Sequence, residues 1–141
     1  FVLAKFTALV GLVGIWAVIG TALTSLATVA FFPDVQFAPI WRGLGVWIVL
    51  TTMYIALTMA ASCLVSSTIA AFGIAFGLQM VSMIVAIWQP AKQYSPIGLN
   101  EATAMVATQQ QVDLGWPVGT ALFCTLAFLA LAIVVFRRRE L

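Results

Sequence analysis

Three long stretches without a charged residue constrain this chain more than any other feature. They lie between Lys5 and Asp34, between Arg42 and Lys92, and between Asp113 and Arg137. A soluble domain usually has about a quarter of its residues charged, whereas 7% of these 141 residues are charged and 64% are hydrophobic. So few charges cannot cover a surface that faces water. Lipid is therefore the predicted surrounding of most of the chain.

The lengths of these stretches predict four membrane-spanning helices, because one span requires about 20 apolar residues. The first stretch holds one helix, which Pro33-Asp34 ends, and the middle stretch holds two. The polar cluster SCLVSST at 62–68 marks the turn between these two, where Ser67 or Thr68 can cap the next helix. Gln89-Pro90 ends the third helix, and Pro117 suits the first turn of the fourth.

The fold class predicted from these signals is an all-α integral membrane protein. The predicted spans are 6–32, 44–61, 68–88 and 117–136. A shorter helix is expected at 100–111 (NEATAMVATQQQ), on the polar segment after the third span, because good helix formers follow Asn100 as a cap. We expect one transmembrane domain over 1–141. Because residue one is Phe, we expect that domain to begin before it.

The charges and the tryptophans predict the orientation of the spans. Lys5 and the run 137–139 (RRR) fall at one end, whereas the other end mixes two bases with three acids. Basic residues collect on the cytoplasmic side, and amphipathic rings collect at membrane boundaries. Three tryptophans fall at the opposite boundary, namely Trp41, Trp88 and Trp116. A multi-pass membrane protein with both termini in the cytoplasm is predicted.

Groups that support catalysis or ligand chemistry are scarce. The chain has no histidine, no charged residue lies inside a predicted span, and no phosphate-binding G-x-x-x-x-G-K-[ST] motif occurs. Proton relays, zinc sites and activated serines need such groups. We therefore predict no catalytic, cofactor or metal site. The formal charge of +2 gives no indication of nucleic-acid binding, and Cys63 and Cys124 are predicted to be free thiols in opposite membrane halves.

Small and hydroxyl residues predict helix packing, because they let membrane helices approach closely. On the first helix they form one face that consists of Gly14, Ala17, Thr21, Thr24, Ser25 and Thr28. On the third helix, Gly73 and Gly77 form a GxxxG motif. A weaker stripe on the second helix, which we also interpret as packing, consists of Thr51, Tyr54, Thr58 and Ser62.

Gln79 and Ser82 point away from the glycine pair of the third helix. An amide in mid-membrane must find a partner or line a wet cavity, because leaving it unsatisfied costs several kcal/mol. Hydrogen bonding between helices is the more common use of such a residue, and contact with a ligand is the alternative. Since both faces of the third helix avoid lipid, a central position is predicted for it.

Four short motifs follow one another along the chain. They are Val2-Leu3-Ala4-Lys5-Phe6 before a span, the turn SCLVSST, the outer-loop segment SPIGLN at 95–100, and the terminus FRRREL. In this order they resemble the motifs of the permease subunits of ATP-binding-cassette (ABC) exporters with six helices per permease. The chain is similar to helices three to six of that family. The resemblance implies that two further helices and a cytoplasmic coupling helix precede Phe1.

This resemblance implies a partner permease chain, identical or related, and two ABC ATPase subunits. It also implies that the chain lies in the inner (cytoplasmic) membrane of the cell. ATP and magnesium would bind those ATPases, so this chain would hold no cofactor and would not be an enzyme. The third span would border a cavity that alternates between the two sides of the membrane, with Gln79, Ser82 and Met83 near the substrate path. The loop 89–116 would form an outer lid, and the turn with Ser62, Ser66 and Ser67 would face the ATPase.

Two other classes of function compete with transport. A structural or assembly subunit of a larger membrane complex also suits a chain without charges inside its spans. The simplest interpretation of the arginine tail, for a permease and for a structural subunit alike, is an anchor at the lipid headgroups. An intramembrane enzyme is disfavoured because no activated nucleophile or metal-binding set is present.

Overall fold

The computed structural model of the protein describes residues 1–32, 34, 36–65, 67–109 and 111–139. In chain order, its helices are α1 Val2–Phe31, α2 Ala38–Leu64, α3 Thr68–Val85, α4 Gln89–Tyr94, a 3-10 turn Pro96–Gly98, α5 Leu99–Ala107 and α6 Gly115–Arg139. No strand occurs in the described residues. α1, α2, α3 and α6 are long and apolar enough to cross a membrane. The predicted fold class, an all-α protein with four spans, is confirmed.

The starts of α1 and α3 and the ends of α2 and α6 meet at one end of the bundle, which we call the basic end. The rings of Phe1 and Phe136 stack there, with centroids 5.6 Å apart and planes at 19°. A buried cluster joins the start of α1 to the ends of α2 and α6, and consists of Val2, Met59, Ala60 and Ala132. Lys5 and Arg137 therefore lie at the same end, as the predicted topology requires. That this end faces the cytoplasm stays a prediction.

The central helix of the chain is α2, which contacts α1, α3, α5 and α6. In its most apolar window 44% of the residues are buried, against 6% in α3. The predicted central position of the third helix is therefore wrong within this chain, where Ala71 is the one buried residue of α3. α2 is suited to the centre because small side chains, among them Ala56, Ala60 and Ala61, let its neighbours approach.

Several helix ends differ from the predicted ones. α1 and α2 begin earlier than expected, so that Lys5 and Arg42 lie inside helices. Long basic side chains allow this, because their stems lie along apolar surface while their charges reach water. α3 ends at Val85 rather than at 88, since Pro90 lies in the first turn of a separate short helix, α4. α6 begins at Gly115 and keeps Pro117 in its first turn.

The opposite end of the bundle, which we call the loop end, contains α4, the 3-10 turn and α5. The predicted helix 100–111 is present as α5 but ends at Ala107, because Gln109 takes a left-handed φ of 63°. Asn100 does not cap it: its side-chain amide donates to the carbonyl oxygen of Ile97, inside the first turn. The predicted cap of α3 is confirmed, since Ser67 Oγ accepts from the backbone N–H of Ala70 at 3.5 Å.

α5 is held against α2 and α6 by a buried apolar cluster. This cluster comprises Val46, Leu50, Met53, Leu99, Ala102 and Ala121. Leu99 has no exposed surface. A β-carbon added to Gly43 of α2 would lie 3.0 Å from the carbonyl oxygen of Thr103 and 3.2 Å from Ala107 Cβ. Gly43 therefore permits the close approach that fixes the loop end on the bundle.

Candidate functional site

A row of hydroxyl groups on α2 lines a cavity of about 550 Å³ at the basic end, between α1, α2 and α6. The row consists of Thr51, Tyr54, Thr58 and Ser62, spaced three or four residues apart, so these side chains share one helix face. Apolar side chains form the other walls, among them Leu9, Ile55, Met59 and Phe136. The spacing of this stripe predicts packing against another helix, whereas the structure places it along an opening.

One cation also lines this cavity. Lys5 extends from α1, and its Nζ lies 6.0 Å from the centroid of the Phe1 ring. In the described part of the chain no carboxylate pairs with Lys5, and the ion pair seen there, Lys92 with Glu101, lies at the loop end. The cavity therefore combines apolar walls, a line of neutral hydroxyl groups and a positive charge near its basic-end mouth.

The hydroxyl row is linked to α3 through Tyr54. Its phenol oxygen lies 3.4 Å from Ser82 Oγ, and Ser82 Oγ donates to the carbonyl oxygen of Gln79 at 2.7 Å. Because the one hydroxyl proton of Ser82 is used in that bond, the Tyr54 hydroxyl is the donor to Ser82. Thr58 donates to the carbonyl oxygen of Tyr54 at 2.8 Å, which satisfies its hydroxyl within α2.

The structure separates the three residues predicted for the substrate path. Ser82 is half-buried and contacts Tyr54, whereas Met83 is 54% exposed on the outside of the bundle. Gln79 is half-buried on the side of α3 that faces α2, but none of the three lines the basic-end cavity. Among the described residues the side-chain amide of Gln79 has no hydrogen-bond partner.

The small-residue face of α1 points toward α2 without packing tightly on it. Thr21 and Thr28 line a second cavity, of about 450 Å³, between α1, α2 and α5. Gly14 borders a much smaller gap beside Trp47, and a β-carbon added to it would meet no heavy atom within 4 Å. The direction of this face agrees with the predicted packing, but its contact with α2 is loose.

The glycine pair of α3 is open in this chain. β-carbons added to Gly73 or Gly77 would meet no heavy atom within 4 Å among the described residues. No helix among the described residues packs on this pair, because α3 turns its other side toward α2. Packing of the pair against a separate polypeptide stays a prediction.

The turn predicted to face an ATPase lies at the basic end. Ser62 is exposed and lines the basic-end cavity, and Ser67 caps α3. Ser66 lies outside the described residues. Contact between this turn and a partner stays a prediction.

The chain was also compared with known proteins. No family model, characterised protein or solved structure matches it.

Proposed function

We propose that this chain forms part of the membrane-spanning permease of an ATP-driven ABC-type exporter, and that it moves an unidentified substrate by alternating access. The observation that carries the proposal is the basic-end cavity with its row of α2 hydroxyl groups. The order of the four family-like motifs along the chain supports the same function.

The position of the hydroxyl row suits a path into the membrane. At 1.5 Å per residue, Thr58 lies about 9 Å and Thr51 about 20 Å from the Leu64 end of α2. The row thus extends from the basic end into the depth where lipid tails are expected. Polar groups at such depth face protein or water rather than lipid. A substrate that enters the cavity would meet hydroxyl groups in succession along one face of α2.

The loose packing of α1 gives the proposed path a way to change shape. Cavities separate α1 from α2 in both halves of the bundle, and 6% of the apolar window of α1 is buried. A small shift of α1 against α2 would change the width of the basic-end cavity while leaving the core between α2, α5 and α6 intact. In the proposal, movement of partner ATPases drives this shift.

The open glycine pair on α3 favours a second candidate function, a structural or assembly subunit. Such a subunit requires a face that other chains can approach closely, and Gly73 and Gly77 provide one. The two functions differ in their partners. Purification from native membranes should recover an ATPase with a nucleotide-binding motif if the chain is a permease, and only integral membrane proteins if it is a scaffold.

Cysteine accessibility tests the cavity directly. In a background with Cys63→Ser and Cys124→Ser, we compare Thr58→Cys with Leu131→Cys. Leu131 lies on the exposed side of α6, next to Ala132, which packs on Met59 and Ala60. The two sites therefore share a depth but not a surface.

Thr58→Cys should react with a polar thiosulfonate at least about tenfold faster than Leu131→Cys, because a thiolate forms only where water enters. ATP hydrolysis by the partner should change the rate at Thr58→Cys and not at Leu131→Cys. Equal rates at both sites would remove the cavity from the proposal.

The role of Gln79 is tested separately with Gln79→Leu, which keeps a similar side-chain size. If Gln79 contacts the substrate, this variant alters transport while the complex still assembles in normal yield. If transport stays normal, Gln79 does not belong to the path. If assembly fails, Gln79 serves as a link between helices.

A further inference from the structure

A polar cavity at the loop end, of about 600 Å³, is separate from the proposed transport path. It lies between α4, α5 and the start of α6. Its lining mixes aromatic, amide and charged groups, and includes Lys92, Tyr94, Glu101, Gln111, Asp113 and Trp116. We call it the loop-end cavity. Its composition contrasts with the apolar walls at the basic end and indicates a polar ligand.

Two aromatic rings form a corner in this cavity. The centroids of Tyr94 and Trp116 lie 6.1 Å apart, and their planes meet at 74°. Both residues are more than half exposed, so a ligand can reach the parts of the rings that do not contact each other. Ring faces carry negative potential and attract cations within about 6 Å of the centroid. Two nearly perpendicular rings can contact one cation from two sides.

The charges around the corner also favour a cation. Lys92 Nζ lies 2.5 Å from Glu101 Oε2, so these two charges compensate each other. Asp113 Oδ1 accepts from the backbone N–H of Gly115 at 3.0 Å, which fixes this carboxylate beside the start of α6. Lys92 is the one base among the described lining residues, so the cavity carries a formal charge of −1 near Trp116.

We propose that the loop-end cavity binds a small organic cation of the alkylammonium class, held between the Tyr94–Trp116 corner and the Asp113 carboxylate. A quaternary ammonium group suits aromatic walls because it is weakly hydrated and attracted to ring faces. An anion would meet a net negative lining, and a neutral polyol would gain nothing from Asp113 as a charge. This inference does not depend on the transport proposal.

The test uses choline as the probe and the indole N–H signal of Trp116 as the readout. The purified protein is placed in phosphatidylglycerol nanodiscs with 15N-labelled tryptophan, and Trp116→Phe assigns the signal by its disappearance. Choline should shift this signal saturably. Its neutral analogue 3,3-dimethylbutan-1-ol has the same shape and should bind at least about tenfold more weakly, because it lacks the charge that both the rings and Asp113 attract.

Two charge variants test the role of the Asp113 carboxylate, and their expected effects on choline binding have opposite signs. Asp113→Asn keeps an oxygen that can accept from Gly115 but removes the charge, and should weaken choline binding about three- to tenfold. Lys92→Gln releases Glu101 and should tighten binding about threefold. Both effects should shrink at high salt, since the site is exposed.

The ammonium group can come from a free solute or from a lipid headgroup, and the bilayer distinguishes them. If phosphatidylcholine nanodiscs shift the Trp116 signal without added choline and block further titration, the source is a headgroup. If choline titrates equally in both bilayers, the source is a solute. The proposal is overturned if choline and its neutral analogue act alike, if Asp113→Asn has no effect, or if the Trp116 signal does not respond.

Discussion

α2 and α3 are neighbouring spans of nearly equal hydropathy, yet α2 is the most buried span and α3 is among the least. α2 presents small side chains to its neighbours, such as Ala56 with no exposed surface. α3 presents large exposed ones, such as Phe72 and Ile84. Hydropathy thus places both helices in lipid, but it does not determine which of them other helices surround.

The two helices also show that a glycine motif does not by itself imply a contact between helices. GxxxG permits close approach, but Gly73 and Gly77 have no neighbour among the described residues. On α2, a β-carbon added to Gly43 would lie 3.0 Å from the carbonyl oxygen of Thr103 and 3.2 Å from Ala107 Cβ, although no second glycine stands four residues away. A glycine pair shows where another helix can pack, and the surrounding chain determines whether one does.

The largest effect is expected at the core around α2. Leu99→Ala should lower the free energy of unfolding by about 2–5 kcal/mol, because it leaves a cavity in a fully buried site. The matched change Ile69→Ala lies on α3, where the side chain is 83% exposed, and should cost less than about 0.5 kcal/mol. Denaturant unfolding in detergent micelles measures both. Equal losses of unfolding free energy would contradict the contrast between the buried core around α2 and the exposed surface of α3.

The second largest effect on stability is expected at Gly43 of α2, and Gly45 of the same helix provides the control. Gly43→Ala should lower the free energy of unfolding by about 1–3 kcal/mol, since its β-carbon would press on Thr103 and Ala107 of α5. Gly45→Ala meets nothing within 4 Å and should be neutral or stabilise by up to about 1 kcal/mol through helix propensity. The same unfolding assay applies. A stable Gly43→Ala variant would show that α5 does not pack closely on α2.

A smaller effect is expected from Gly77→Leu on α3. Its unfolding free energy should stay within about 0.5 kcal/mol of the parent, because no part of the described chain covers this face. If the predicted packing between polypeptides is right, co-purification of the variant with its partner chains should fall. A loss of stability in the isolated chain would mean that the face is covered after all.

The smallest effect on stability is expected at the contact between Tyr54 of α2 and Ser82 of α3. Tyr54→Phe removes the contact of 3.4 Å with Ser82 and should cost about 0.5–1 kcal/mol. Ser82→Ala should cost a similar amount, and the double variant should cost less than the sum of the two. Strict additivity would show that the two hydroxyl groups do not interact.

The number and type of spans could be predicted from the sequence. Because a charge inside lipid is costly, long uncharged stretches mark the spans. The helix ends could not, since Lys5 and Arg42 lie inside helices whose basic side chains still reach water. Pro90 suggested only an end, although proline also fits the first turn of a new helix.

The position of the candidate site was harder to predict than the fold. Gln79 and the glycine pair favour α3 as the position of the site, whereas a hydroxyl-lined opening of about 550 Å³ follows α2. The stripe from Thr51 to Ser62 was visible in the sequence, but a stripe of hydroxyl groups can face either a helix or a gap. That choice depends on how closely α1 approaches α2, which the residues of α2 alone do not determine.

We predict that the four apolar helices cross a bilayer and that the basic end faces the cytoplasm. Single-cysteine labelling in intact cells tests it most directly, with Cys63 and Cys124 replaced by serine. Thr108→Cys at the loop end should react with a membrane-impermeant maleimide added outside. Thr68→Cys, at the exposed start of α3, should react only after the membrane is permeabilised. Labelling of Thr68→Cys from outside, or of both sites from the same side, would contradict the claim.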